Sequence, residues 1–118
     1  MKAIVVYPNH YELQKIESAI AETCPNFQIQ GFTDPMLAYQ YAFNQGPIDY
    51  LYTLIEMKRL DGFSLARMLR EDNSNLSIYF LSYQEQNERD ADKFGCDAFI
   101  HLPISTEKLK MAETVRKE

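Results

Sequence analysis

The stretch IDYLYTLIEMKRLDGF, residues 48–63, decides how this chain folds. Its first half is an almost unbroken apolar run; its second half turns charged and breaks at Asp61-Gly62. A short apolar run bounded by turn residues reads as a strand buried on both faces, as the strands of parallel sheets are. The strand is expected from about Asp49 to Ile55. A helix from about Phe63 to Glu71 follows, with Leu65, Ala66, Met68 and Leu69 inward. In α/β folds, chemistry commonly sits where such a strand surfaces. The residue at this exit is Leu54, which cannot donate a proton, hold a metal or act as a nucleophile.

The same alternation runs outward in both directions. Upstream, Ala3-Ile4-Val5-Val6-Tyr7 is a β-branched run ended by Pro8. Asn9 then suits a helix N-cap with Glu12 in capping-box position, and Leu13, Ile16 and Ile20 follow at helical spacing before Pro25-Asn26. Phe27 to Phe32 alternates like a strand nearer the sheet edge. Asp34-Pro35 starts a helix whose stripe reads Leu37, Ala38, Tyr41 and Ala42, ended by Gly46-Pro47. Downstream, Leu76 to Ser82 is a fourth strand, Gln84 to Phe94 a polar helix closed by Gly95, and Ala98 to Leu102 a fifth strand before Pro103. A last helix runs from Ser105 or Thr106. Five strands alternating with five helices predict a single domain, residues 1–118, with a doubly wound (βα)5 flavodoxin-like sandwich and sheet order 2-1-3-4-5.

Composition excludes several classes of function. The net charge of −5 argues against nonspecific binding to nucleic acid or anionic membranes. No apolar run approaches the roughly 18 to 20 residues of a membrane span, and MKAIVVYP is too short for a signal peptide, so a cytoplasmic protein is expected. Cys24 and Cys96 match no zinc or redox spacing and read as reduced, packed thiols.

The sheet order places any ligand beyond the carboxyl ends of the first and third strands. Three tips meet there: Tyr7-Pro8-Asn9, Leu54-Ile55-Glu56 and Ser82-Tyr83. The first turn has no glycine, and its proline removes a donor, so it does not cradle phosphate. Magnesium needs hard oxygen ligands, and Glu56 is the one carboxylate near the middle tip, read here as a solvated loop acid. His10 and His101 have no neighbouring Asp or Cys in a triad arrangement and read as ordinary polar residues. Of the eight tyrosines, Tyr50, Tyr52 and Tyr79 suit strand packing, whereas Tyr7 and Tyr83 sit at the tips and suit filling the switch-point pocket.

Over essentially its whole length the chain resembles the receiver domains of two-component response regulators (CheY-like). The resemblance is strongest in LIEMKRLDGFSLARMLR, residues 54–70, and continues through Ser82, Gly95-Cys96-Asp97-Ala98-Phe99 and Leu102-Pro103. Ile55-Glu56-Met57 with Asp61-Gly62 is similar to receivers that precede LytTR-type DNA-binding domains. The resemblance implies the family's positions one by one, and most are altered. The phosphate-accepting aspartate falls on Leu54. The magnesium-holding acidic pair falls on Tyr7 and Pro8, or on Pro8 and Asn9 with a one-residue slip, and the phosphoryl-contacting lysine falls on Leu102. Retained are Ser82, the aromatic Phe99, Pro103 and the Asp61-Gly62 turn; Glu56 falls where the family gives a backbone carbonyl to the metal.

These losses agree with one another, because an aspartate nucleophile is useful only where a metal and a cation offset the charge of the phosphoryl group. The resemblance therefore implies a non-enzymatic pseudo-receiver without magnesium. It would pair with a protein partner or a second copy through the fourth helix, fifth strand and fifth helix, with Arg89, Lys93, Phe99 and Lys108 as interface candidates and no direct contact with nucleic acid or membrane. Two alternatives stand beside it. One is phosphate acceptance on Ser82 or Glu56, and the other a small apolar ligand in a pocket lined by Tyr7, Leu54, Tyr83 and His101. A free-standing adaptor and the input half of a DNA-binding regulator both fit the resemblance.

Overall fold

In the computed structural model, which describes residues 1–117, five strands and five helices alternate along the chain. They are β1 (Lys2–Val6), α1 (His10–Thr23), β2 (Gln28–Phe32), α2 (Pro35–Gln45), β3 (Tyr50–Leu54), α3 (Gly62–Asp72), β4 (Ser77–Ser82), α4 (Asn87–Phe94), β5 (Ala98–His101) and α5 (Thr106–Lys117). The strands form one parallel sheet in the order β2-β1-β3-β4-β5. No helix among the described residues is long and apolar enough to cross a membrane.

Helix starts are set by side chains that accept the orphan amides of the first turn. Asn9 accepts from the Glu12 amide, Asp34 from Met36 with Pro35 in the first turn, and Asp61 from Ser64. Helix α4 ends on Gly95, whose φ of 86° lies in the left-handed region open to glycine.

Alternation along the strands divides the apolar residues between two cores. On one face Tyr50, Tyr52 and Leu54 join Val5, Tyr7, Tyr79 and Leu81 beneath α1 and α5. On the other, Leu51, Ile55, Ile78 and Phe80 lie beneath α2, α3 and α4. Four of the eight tyrosines, Tyr7, Tyr50, Tyr52 and Tyr79, lie in the first core, and Tyr39 and Tyr41 pack against the second. Tyr52 packs edge-on against Tyr79 at 4.8 Å, and the Tyr79 hydroxyl donates to Glu113 at 2.6 Å from α5. Long aromatic side chains fill this layer, and the Tyr79 hydroxyl reaches a polar partner at its rim. The second face uses phenylalanine: Phe80 meets Phe63 at 4.8 Å and Phe94 at 5.2 Å.

Two inward assignments change. Leu37 is 53% exposed, so α2 buries Ala38 with Tyr41 and Ala42 half-buried beside it. Helix α2 packs on the edge strand β2, its neighbour β1 and helix α3. In α3, Leu65, Ala66 and Leu69 are buried, but Met68 is only half-buried at the margin of the stripe.

Candidate functional site

At the carboxyl ends of the strands the parallel register is carried one residue past β1, β3 and β5. Tyr7 donates its amide to Phe32, Ile55 to Leu81, and Leu102 to Ser82, at 3.0, 3.0 and 2.8 Å. These bonds hold Tyr7, Leu54 and Leu102 against the end of the sheet. All three are buried, at 8%, 8% and 3% exposure, and belong to the same core as Leu81, with Met57 and Ile104 packed against it. Burial first, and then the neighbouring Tyr83 phenol, push the Tyr7 hydroxyl up to about 12. Pro8 lies exposed beyond this core.

The turn after β3 is tied back onto the strand. Gly62 donates its amide to the Ile55 carbonyl at 2.9 Å. A Cβ at position 62 would stand 2.4 Å from the Leu54 carbonyl oxygen, so this close approach requires glycine. Asp61 and Gly62 thus act together, since the carboxylate starts α3 while the glycine lets the chain press against the strand tip.

One strand away the end of the sheet is polar. Ser82 is fully buried, and its hydroxyl donates to Glu56 Oε1 at 2.5 Å. The same hydroxyl oxygen accepts from the Gln84 amide at 2.9 Å and from Asn87 Nδ2 at 3.2 Å. Asn87 Nδ2 also lies 3.2 Å from Glu56 Oε1. Glu56 is therefore not a merely solvated loop acid: its exposed carboxylate links the exit of β3 to the first residue of α4. Its position two residues past Leu54, on the same side of an extended strand, is the one hint in the sequence. Asn87 is visible only once the fold brings the three segments together.

His101 donates through Nε2 to the Tyr83 carbonyl at 3.0 Å, and its Nδ1 lies 3.8 Å from Glu85. His10 lies away from this site, beside Gln14 at 3.2 Å on α1. The four residues expected to line a pocket, Tyr7, Leu54, Tyr83 and His101, differ in burial. Tyr7 and Leu54 are packed, while Tyr83 is 49% exposed. The remaining residues singled out by the resemblance lie nearby. Phe99 is half-buried beneath α4, and Pro103 follows Leu102 as an exposed residue. Arg89 and Lys93 are exposed on α4. Lys108 is less available, because its ammonium donates to the carbonyls of His101 and Pro103 at 2.8 and 2.9 Å. Cys24 and Cys96 are half-buried thiols; burial, aided by Asp92 and Asp97, pushes the Cys96 thiol up to about 11, far from a reactive thiolate.

No family model matches the chain. Over 64 residues, 52% of its length, it is 39% identical to the sensor protein EvgS of Escherichia coli K12, and that match spans 5% of the sensor's length. Among solved structures it resembles the receiver domain of Francisella response regulator 1452, at 24% identity and a TM-score of 0.78 over 98% of this chain and 96% of that one. It likewise resembles the response regulator TrrA of Thermotoga maritima, solved with magnesium and BeF, at 20% identity and a TM-score of 0.80 over 98% and 96% of the two chains. The residues of this chain at the strand tips do not match the needs of a magnesium ion: Tyr7, Pro8 and Leu54 supply no carboxylate, and the Glu56 carboxylate is already bonded to Ser82 and Asn87. The chain has the fold of a response-regulator receiver domain, with its strand tips closed by an apolar core on one side and a hydrogen-bonded link on the other.

Proposed function

We propose that this chain is a pseudo-receiver, a non-enzymatic regulatory module of two-component-type signalling that acts through protein contact without phosphorylation or magnesium. The observation that carries this reading is the packing of Tyr7, Leu54 and Leu102 into one core at the strand tips. A phosphoryl group there would need a nucleophile, a metal and a cation, and these positions supply packing surface. Charges left in such a site without their partners would carry a desolvation cost that apolar side chains remove. The identity with part of a sensor protein supports a signalling context. The likeness of Ile55-Glu56-Met57 and Asp61-Gly62 to receivers preceding LytTR-type domains supports service as the input part of a DNA-binding regulator in the cytoplasm.

The working surface in this reading is the face of α4, β5 and α5, where Arg89 and Lys93 are exposed and Phe99 lies half-buried between the elements. Helix α4 buries only Ala91 and leaves Glu88, Arg89, Asp90, Asp92 and Lys93 to solvent. Lys108 serves this face as a brace that joins α5 to the end of β5. The partner is a second copy or a signalling protein.

Incubation with a small phosphodonor and magnesium, followed by intact-mass measurement, tests the loss of phosphorylation. An unchanged mass is expected, and a stable phosphoryl adduct on Glu56 or Ser82 overturns the reading. Sedimentation over a dilution series tests the contact function: self-association or capture of a signalling partner is expected, and a strict monomer that binds no such partner sinks it.

A further inference from the structure

At the opposite end of the sheet from the strand tips, the chain carries an apolar cavity of about 310 Å³. It opens between the carboxyl ends of α2 and α3, and its walls include Tyr39, Phe43, Pro47, Leu69, Leu76 and Asp72. Its size is at the small end of ligand sites, enough for a molecule of one ring. From Pro35 to Ile48 the sequence carries no charged residue, although a quarter of the chain is charged. The α2 wall is therefore an uncharged aromatic surface in a polar protein.

The electrostatics of the cavity have one sign. Two helices end at it, and a helix carboxyl end carries partial negative charge from its terminal carbonyls. Helices α1, α3 and α4 each close with a backbone N–H bond from the cap residue, whereas Gly46 forms no such bond among the described residues. The terminal carbonyls of α2 thus lack a protein cap at the cavity rim. The Asp72 carboxylate adds a full negative charge. No lining residue is basic, and Arg70 on the same helix turns away, donating to the Gly95 carbonyl at 3.2 Å and stacking 5.0 Å from the Phe94 ring centre. The faces of Tyr39 and Phe43 favour a cation as well.

From this combination we infer that the cavity is a binding site for a compact hydrophobic cation, a one-ring or branched aliphatic ammonium compound. The apolar body fills the space between Phe43, Leu69 and Leu76, and the ammonium group lies at the rim against Asp72 and the α2 carbonyls. The site is independent of the strand tips and of the α4-β5-α5 face.

Three probes separate the elements of the proposal: benzylammonium, benzyl alcohol and phenylacetate at matched millimolar concentrations. Chemical-shift mapping on the whole chain is expected to place benzylammonium at the backbone amides of Phe43, Gly46 and Asn73, with weaker binding of the alcohol and none of the acid. Asp72 is exposed, so Asp72→Asn should fold normally. It should weaken benzylammonium about two- to fivefold, the range of a solvent-accessible ion pair, and leave the alcohol unchanged. Phe43→Ala, also at an exposed position, should weaken both. No binding, shifts that map elsewhere, equal affinity for the neutral and charged probes, or an Asp72→Asn variant that binds benzylammonium as before would each overturn the proposal.

Discussion

The two halves of the strand-tip site solve one problem in opposite ways. Around β1, β3 and the exit of β5, Tyr7, Leu54 and Leu102 are buried together in one core. Around β4, Ser82 keeps a polar atom fully buried and satisfies it with Glu56, Gln84 and Asn87. Among the described residues no buried side-chain nitrogen or oxygen lacks a partner. Tyr7, Pro8 and Leu54 bring no carboxylate to this end of the sheet, and Glu56 already accepts from Ser82 and Asn87 through Oε1. The polar half differs in reach: it ties β3 to α4, and α4 belongs to the proposed interaction face. The apolar half stabilises, and the polar half connects.

Exchanging the character of the apolar half should have the largest effect. Leu54→Asp places a carboxylate between Tyr7 and Leu102 with no cation beside it, and an uncompensated buried charge costs about 3–5 kcal/mol. Urea unfolding should show a midpoint lowered accordingly, and the variant should still gain no mass from a phosphodonor with magnesium. A normal midpoint would mean that the tips are open and that the contrast between the halves is false. The same half should next yield to alkali. The Tyr7 hydroxyl is held up at about 12, against about 10 in the unfolded chain. The folded state therefore keeps a proton that the unfolded state releases. The stability this gives is whole below pH 10 and is lost as the pH rises toward 12. Tyr7→Phe should flatten that interval of the stability curve relative to the parent; identical curves would show that Tyr7 is not sequestered.

How much of this is legible in the sequence depends on the range of the interactions. The elements are legible because their signals are local. Apolar runs, Asn9, Asp34 and Asp61 at helix starts, and Gly95 at a helix end act within a few residues. The alternation gives a parallel sheet, and its order follows from taking the doubly wound solution natural at this length. The chemistry that Tyr7, Pro8, Leu54 and Leu102 cannot supply is legible too, because it follows from the identities of their side chains. Glu56 reads as a solvated acid because its partners are 26 and 31 residues away, and no spacing rule joins the end of β3 to the start of α4. Leu37 reads as inward for a related reason: a helical period marks an apolar stripe but not whether the sheet extends beneath it. Lys108 reads as an interface candidate, and only the return of the chain past Pro103 supplies the carbonyls that hold it.

The smaller effects belong to the polar half, and they decide whether it connects or merely fills. Ser82→Ala removes the hydroxyl that donates to Glu56 and accepts from Gln84 and Asn87, which leaves the Gln84 amide without this acceptor. The loss of such a buried group costs about 1–3 kcal/mol. Glu56→Gln is milder, because an amide oxygen still accepts from Ser82 and Asn87 and the position faces solvent; less than about 1 kcal/mol is expected. The informative quantity is where each variant is felt. If the polar half connects, both substitutions shift the amide resonances of α4 beyond Asn87, as far as Ala91 on its buried side, and amide hydrogen exchange there quickens in step with the stability lost. If Glu56→Gln shifts only residues 54–58 and leaves α4 untouched, the carboxylate is a local cap for Ser82. The two halves would then differ in polarity alone, and the link from the strand tips to the interaction face would have to be sought through the Leu102 backbone and Lys108.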